Sequence, residues 1–131
     1  EGMNKETIIA DILKQVSLED DVKIVLRDCS AVIDLLLVSD AASAFRKTLI
    51  TDGAMGKVLN IGSGQGISAR ALATLILKRL GKRLVRATSQ DDEKNLGIVL
   101  NTDLAAKVID WMPSKSIEAA ISTFISSAVI R

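Results

Sequence analysis

The chain has 131 residues, enough for one domain with a real core, and its 48% hydrophobic and 25% charged residues describe a folded chain rather than a disordered one. A net charge of +1, from 17 basic and 16 acidic residues spread along the chain, and an aromatic content of 2% argue against a nucleic-acid surface or a polybasic membrane anchor. With no His, no Tyr and one Cys, the chain cannot build a His-dependent nucleophile, a Tyr general acid, an internal disulfide or the usual zinc, copper and iron sites; no catalytic or metal-binding residue is assigned.

In chain order, Ile8, Ile9, Ile12, Leu13 and Val16 recur at helical spacing within residues 4–16. Val22, Ile24 and Leu26 alternate with Lys23 and Arg27 as in a strand. After Asp28-Cys29-Ser30 comes a second apolar run, Val32 to Val38, broken by Asp34; the two runs read as a hairpin, although the link lacks an Asn-Gly or Asp-Gly turn. Ser39 reads as the N-cap of a helix over 40–50, and Thr51-Asp52-Gly53 as a turn. Lys57 to Ile61 reads as a buried strand. Ser68 caps a helix carrying Leu72, Leu75, Ile76 and Leu80, with Gly81 at its end. Residues 83–87 and 97–100 read as short strands around a polar stretch, Thr102 caps a short helix, Pro113 ends that region, and residues 116–129 form a last helix. The class is α/β, with five main helices and short mixed strands in a single partial domain, residues 1–131. Five apolar helix faces exceed what so few strands cover, as in a chain that expects a partner sheet.

No apolar run reaches the roughly 18 residues of a membrane span, and residues 1–20 lack a signal-peptide core. Lone Cys29 fits a reducing compartment, so a cytoplasmic location is expected, and it reads as a small buried filler. The chain opens on Glu1 rather than Met, as a trimmed piece of a longer protein would.

The glycines at 62, 64 and 66 invite a ligand. A dinucleotide loop needs G-x-G-x-x-G and a following acid, but here the spacing is G-x-G-x-G, with Ile67 at the third place and Thr88-Ser89 after the next strand. VLNIGSGQG also looks like the first motif of S-adenosylmethionine-dependent methyltransferases, without their acids. Two plainer readings are a tight strand-to-helix turn, and a helix start whose N–H groups face a partly anionic ligand.

Read together, the motifs resemble the C-terminal part of the extended short-chain dehydrogenase/reductases, the NAD(P)-dependent nucleotide-sugar epimerases and dehydratases. Ile33-Asp34-Leu35-Leu36-Leu37-Val38-Ser39-Asp40 corresponds to R-D-F-I-Y-V-D-D. Leu59 to Leu72 corresponds to Y-N-I-G-S-G-x-x-x-S-x-x-E-L. Asn101 to Ala105, Ile109-Asp110-Trp111-Met112-Pro113 and Ser116-Ile117-Glu118 follow D-x-s-K-A, L-G-W-x-P and S-L-E, and Glu1-Gly2-Met3 matches the end of V-Y-G-P-G-x. The resemblance implies a substrate-binding lobe, with the dinucleotide loop, the Y-x-x-x-K catalytic pair and the helices of a homodimer all in an N-terminal half that this chain lacks. It implies NAD or NADP for the full-length enzyme, none in this chain, and a nucleotide-sugar or related substrate.

It also assigns the substrate contacts. Ile24 and Leu26 match strand positions lining the base, and Ser68 and Ala69 match the helix start near the nucleotide. Ile33 and Asp91 stand where the family's two diphosphate-binding arginines stand, so both arginines are replaced, and Arg27, Arg83 or Arg86 are the nearby substitutes. The loss leaves two alternatives open, a relative with a different substrate and a non-catalytic binding module. Asp34, a carboxylate in an apolar strand, needs partners, and either the ligand cleft or structural hydrogen bonds would supply them. Trp111 reads as core packing, and Asp91-Asp92-Glu93 as a solvated loop.

Overall fold

The computed structural model describes residues 7–90 and 97–129. Their elements are α1 (Ile8–Lys14), β1 (Asp21–Leu26), β2 (Val32–Asp34), α2 (Val38–Ile50), a 3-10 turn (Asp52–Ala54), β3 (Gly66–Ser68), α3 (Ala69–Arg79), β4 (Arg83–Ser89), α4 (Asp103–Ile109) and α5 (Ile117–Val129). This is the expected α/β class, with five α-helices among the described residues. The expectations placed on Glu1-Gly2-Met3 and on Asp91-Asp92-Glu93 lie outside the described residues. The chain divides into two compact units: residues 1–32, 68–96 and 121–131 form one, and residues 33–67 and 97–120 form the other.

In the first unit β1 alternates as its sequence directs, with Val22, Ile24 and Leu26 buried and Asp21, Lys23 and Val25 exposed. Its partner is β4, in parallel register from Asp21↔Arg83 to Leu26↔Ser89. The expected hairpin with the 32–38 run is therefore not formed. The reason is local: Asp28 Oδ1 accepts from Ser30 N (2.7 Å) and Ser30 Oγ (2.6 Å), and no residue of the link has the positive φ of a two-residue hairpin turn. A parallel pair needs a crossover instead, and α3 lies on it. Helix α3 buries Leu72, Ala73, Ile76 and Leu77, one stripe at helical spacing, and α1 buries Ala10 and Ile12. Each Leu or Ile so buried contributes about 1.5–3 kcal/mol of transfer free energy. Gly81, at φ 72°, ends α3; Lys82 N donates to Leu77 O (2.8 Å) and Gly81 N to Lys78 O (3.2 Å), which satisfies the last carbonyls. On β1 the Gln15 amide acts as a one-residue strand, accepting from Val25 N (2.8 Å) and donating to Val25 O (2.9 Å).

In the second unit Ile33, on β2, bridges Ile98 in parallel. Its core is Trp111 with Ala44, Ala105 and Ile109, lined by Leu36, Leu59 and Ile61. Trp111 Nε1 donates to Ser43 Oγ (2.9 Å), so the buried indole is satisfied as well as packed. The Asp40 carboxylate, also buried, accepts from Ser114 N (3.2 Å) and Ser114 Oγ (2.6 Å) and ties α2 to the chain beyond α4. Asp110 ends α4 at φ 47°, a left-handed position where the resembling motif has Gly.

Four local expectations are corrected. Helix α2 begins at Val38 behind Leu37, with no side-chain cap, so Ser39 lies inside it. Thr102 makes no cap bond for α4; Asn101 Oδ1 accepts from Asp103 N (2.9 Å) instead. Lys57–Ile61 is not a strand: Leu59 and Ile61 reach the core while Val58 is 88% exposed, an alternation with no strand partner among the described residues. Residues 97–100 contribute only the bridge at Ile98.

Candidate functional site

In the second unit, the loop after Ile61 is built around one carboxylate. Asp34 Oδ1 accepts from Ser63 N (2.7 Å) and from the Ser63 hydroxyl, and its Oδ2 accepts from Gly64 N (3.2 Å) and Leu100 N (3.1 Å). A carboxylate offers about four acceptor positions, so these bonds fill it. Burial pushes the Asp34 carboxyl up, but the donors from Ser63, Leu100 and Gly64 outweigh it, and the net direction is down. The glycines have separate reasons. A Cβ on Gly62 would sit 2.8 Å from Asp34 Oδ2 and 2.9 Å from Leu100 Cδ1, so only Gly admits the close approach. Gly64 has φ 68°, the left-handed turn conformation. The Ser63 hydroxyl also accepts from Gln65 N (3.1 Å).

In the first unit, the carboxyl ends of two parallel strands meet the start of α3. Cys29 N donates to Ser89 Oγ (3.1 Å), and Gln90 N to Leu26 O (2.8 Å). Ala69 N donates to Ala31 O (2.8 Å), Arg70 N to Cys29 O (3.1 Å), and Ala71 N to Ser68 Oγ (3.2 Å), as an N-cap. The outer end of parallel strands is where open α/β sheets place ligands. Here, however, the first N–H groups of α3 are bonded within the protein.

Leu26, Ser68 and Ala69 are thus brought to one end of the first unit. Ile24 lies further back on β1; it, Leu26 and Ala69 are buried. Ile33 and Asp34 belong to the second unit, both half-buried. Among the three substitute arginines, Arg83 is engaged: its guanidinium grips Asp21 at 2.8 and 2.7 Å and holds that carboxyl below its usual range. Arg27 and Arg86 are exposed. Cys29 is a buried free thiol, as expected. Sequence reasoning missed Ser63 and Leu100 as Asp34's partners, and Gln15 at the edge of β1. Only the G-S-G spacing hinted at the first.

The 62–65 loop is not arranged as a dinucleotide loop. Ser63, Gly64 and Gln65 spend their N–H groups on Asp34 and Ser63, leaving none aimed at a phosphate. The same geometry removes the loop-based support for S-adenosylmethionine. Among the described residues no group of three His, Cys, Asp or Glu is placed to hold a metal ion, and no helix is long and apolar enough to cross a membrane.

The fold is that of the C-terminal portion of the extended short-chain dehydrogenase/reductases. The dTDP-glucose 4,6-dehydratase of Bacillus anthracis, solved in complex with NAD, matches 97% of this chain with 40% of its own, at a TM-score of 0.77 and 22% identity. RMD from Pseudomonas aeruginosa, complexed with NADPH, matches 95% of the chain with 43% of its own (TM-score 0.74, 21% identity). The UDP-glucose 4-epimerase of Bifidobacterium longum, in complex with NAD+ and UDP, matches all of it with 41% of its own (TM-score 0.72, 15% identity). The chain therefore spans about two fifths of the length of each of these proteins. No protein-family model and no curated protein sequence matches the chain.

Proposed function

We propose that residues 1–131 form one substrate-binding lobe of an NAD(P)-dependent sugar-nucleotide epimerase, dehydratase or reductase, not catalytic on its own. The observation that carries this reading is the match of 97% of the chain, at a TM-score of 0.77, to a dehydratase that acts on dTDP-glucose. A separate half would supply NAD or NADP, the Y-x-x-x-K pair and the homodimer helices. The lobe would hold the substrate against the nicotinamide, so its contribution is orientation. In the first unit Ser68, at the strand ends, is the candidate substrate contact, with buried Leu26, Ala69 and Ile24 shaping the layer behind it. Within the second unit Ile33 is a separate candidate contact, and Asp34 acts through the 62–65 loop it fixes.

The partner surface is supported within the second unit. Val38, Phe45 and Leu49 are exposed along one face of α2, Val58 is exposed within the extended 57–61 segment, and we infer that the dinucleotide-binding half covers them. A cytoplasmic location is proposed on the single, buried Cys29. The test is the coding sequence preceding Glu1. A G-x-x-G-x-x-G and a Y-x-x-x-K in that order support the proposal, and an open reading frame without them overturns it.

The second reading, a binding module that has lost the chemistry, is favoured by Ile33 at an arginine position. Calorimetry of the isolated chain with UDP-glucose and dTDP-glucose tests it: micromolar affinity without any other half supports this reading, and no binding argues for the first.

A further inference from the structure

Strand β1 has two edges, and among the described residues β4 pairs with one of them and no strand pairs with the other. An open strand edge is a template for a further strand, and folded chains blunt it with charges, short edges or a covering group. Here the covering group is one side chain. Gln15, at the C-terminal end of α1, sends its amide to Val25: Oε1 accepts from Val25 N (2.8 Å) and Nε2 donates to Val25 O (2.9 Å). A third bond, from Nε2 to Asp11 O (3.1 Å), ties the same amide to α1. Gln15 thus makes the two bonds that Val25 would exchange with the residue opposite it in an antiparallel pair. The Val25 side chain is 42% exposed, and Lys23 and Arg27, two positions to either side, are exposed cations.

We propose that Gln15 is a guard on the β1 edge, which holds the ladder position at Val25 closed against β1 of a second copy of this chain. The geometry selects the second copy as the occupant. With two β1 strands antiparallel and centred on Val25, each Val25 exchanges both bonds with the other, replacing in kind the two that Gln15 supplies. The two exposed valines then lie directly opposite, a β-branched pair that suits a sheet. On each side of them Lys23 of one copy faces Arg27 of the other, a like-charge repulsion that salt screens and that acts as a second guard. An amide of the same chain meets Val25 at a far higher effective concentration than another molecule does, so Gln15 prevails in the wild type. Helix α1 and β1 belong to one unit, and the guard is independent of the sugar-nucleotide reading.

The test is sedimentation equilibrium with residue-resolved amide exchange on the full chain, in about 1 M salt, where charges act only within about 3 Å. In Gln15→Ala, the Val25 amide should exchange fast in dilute solution and regain protection as concentration rises. Its association constant should be at least about tenfold above wild type, the equivalent of one to two net hydrogen bonds. Val25 protection in the wild type should not depend on concentration. Adding Val25→Pro to Gln15→Ala removes the N–H on the open edge, where Pro is tolerated, and should return association to the wild-type level. Ile76→Val loosens the buried core of the same unit and should leave association unchanged, which separates an open edge from lost stability. Should Gln15→Ala not fold, Gln15→Met keeps the side-chain length, loses both bonds and carries the same expectation. A smaller rise, a Val25 amide that stays unprotected at high concentration, or an equal rise in Ile76→Val overturns the guard.

Discussion

Replacing Asp34 by Asn probes the element that organises the second unit. Asn keeps the shape of Asp but has one acceptor oxygen, so either the two Ser63 donors or the N–H groups of Gly64 and Leu100 come to face an amide N–H₂. Each partly buried donor left without an acceptor costs about 1–3 kcal/mol, and half-burial puts the pair toward the low end, near 2–4 kcal/mol in total. For a chain of this size that is a fall of roughly 6–20 °C in Tm. The pH dependence has a definite sign. Asp34 is held below its unfolded value of about 3.9, so its contribution is complete above that value and is lost as pH falls through the folded one. The gap between wild type and Asp34→Asn, measured by urea denaturation followed by circular dichroism, should be constant from pH 8 to about pH 5 and should narrow below about pH 4. A gap under about 0.5 kcal/mol at pH 7, or one that does not narrow in acid, refutes this role.

Further outcomes follow from single contacts. Gly62→Ala should destabilise by about 1–3 kcal/mol because its Cβ meets Asp34 and Leu100, while Gly53→Ala, with nothing within 4 Å, should stay within about 0.5 kcal/mol; paired denaturation curves decide. Asp110→Gly should stabilise by about 0.5–1 kcal/mol, since Gly adopts φ 47° without strain and the exposed Lys47 pair is worth little; a lower Tm contradicts it. Gln15→Ala removes both bonds to Val25 and should cost about 1–2 kcal/mol, with faster amide exchange at Val25 as the specific sign.

Periodicity made the helices legible. Ile8–Lys14, Ala69–Arg79 and Asp103–Ile109 each carry one apolar stripe, and Gly81 marked a stop that its left-handed φ explains. Strand pairing was not legible, because apolar alternation in Val22–Leu26 says which face is buried and nothing about which strand lies alongside. The Lys57–Ile61 segment failed differently: its alternation is real, with Leu59 and Ile61 inward, but a strand also needs a neighbour. Asp34 was visible as a misplaced carboxylate. Its partners Ser63 and Leu100 are 29 and 66 residues away in sequence, and only the fold brings them to it. The Lys23–Arg86 pairing depends on a one-residue register shift that no local pattern encodes.

The most direct test takes the natural polypeptide that carries these residues, purifies it with its bound nucleotide, and incubates it with dTDP-glucose and UDP-glucose under mass spectrometry. A substrate-binding lobe of a sugar-nucleotide enzyme requires bound NAD or NADP and an NAD(P)-dependent change in the sugar, abolished when the Tyr of the upstream Y-x-x-x-K is replaced. A polypeptide that holds no nicotinamide nucleotide and leaves both sugars and their relatives unchanged contradicts it.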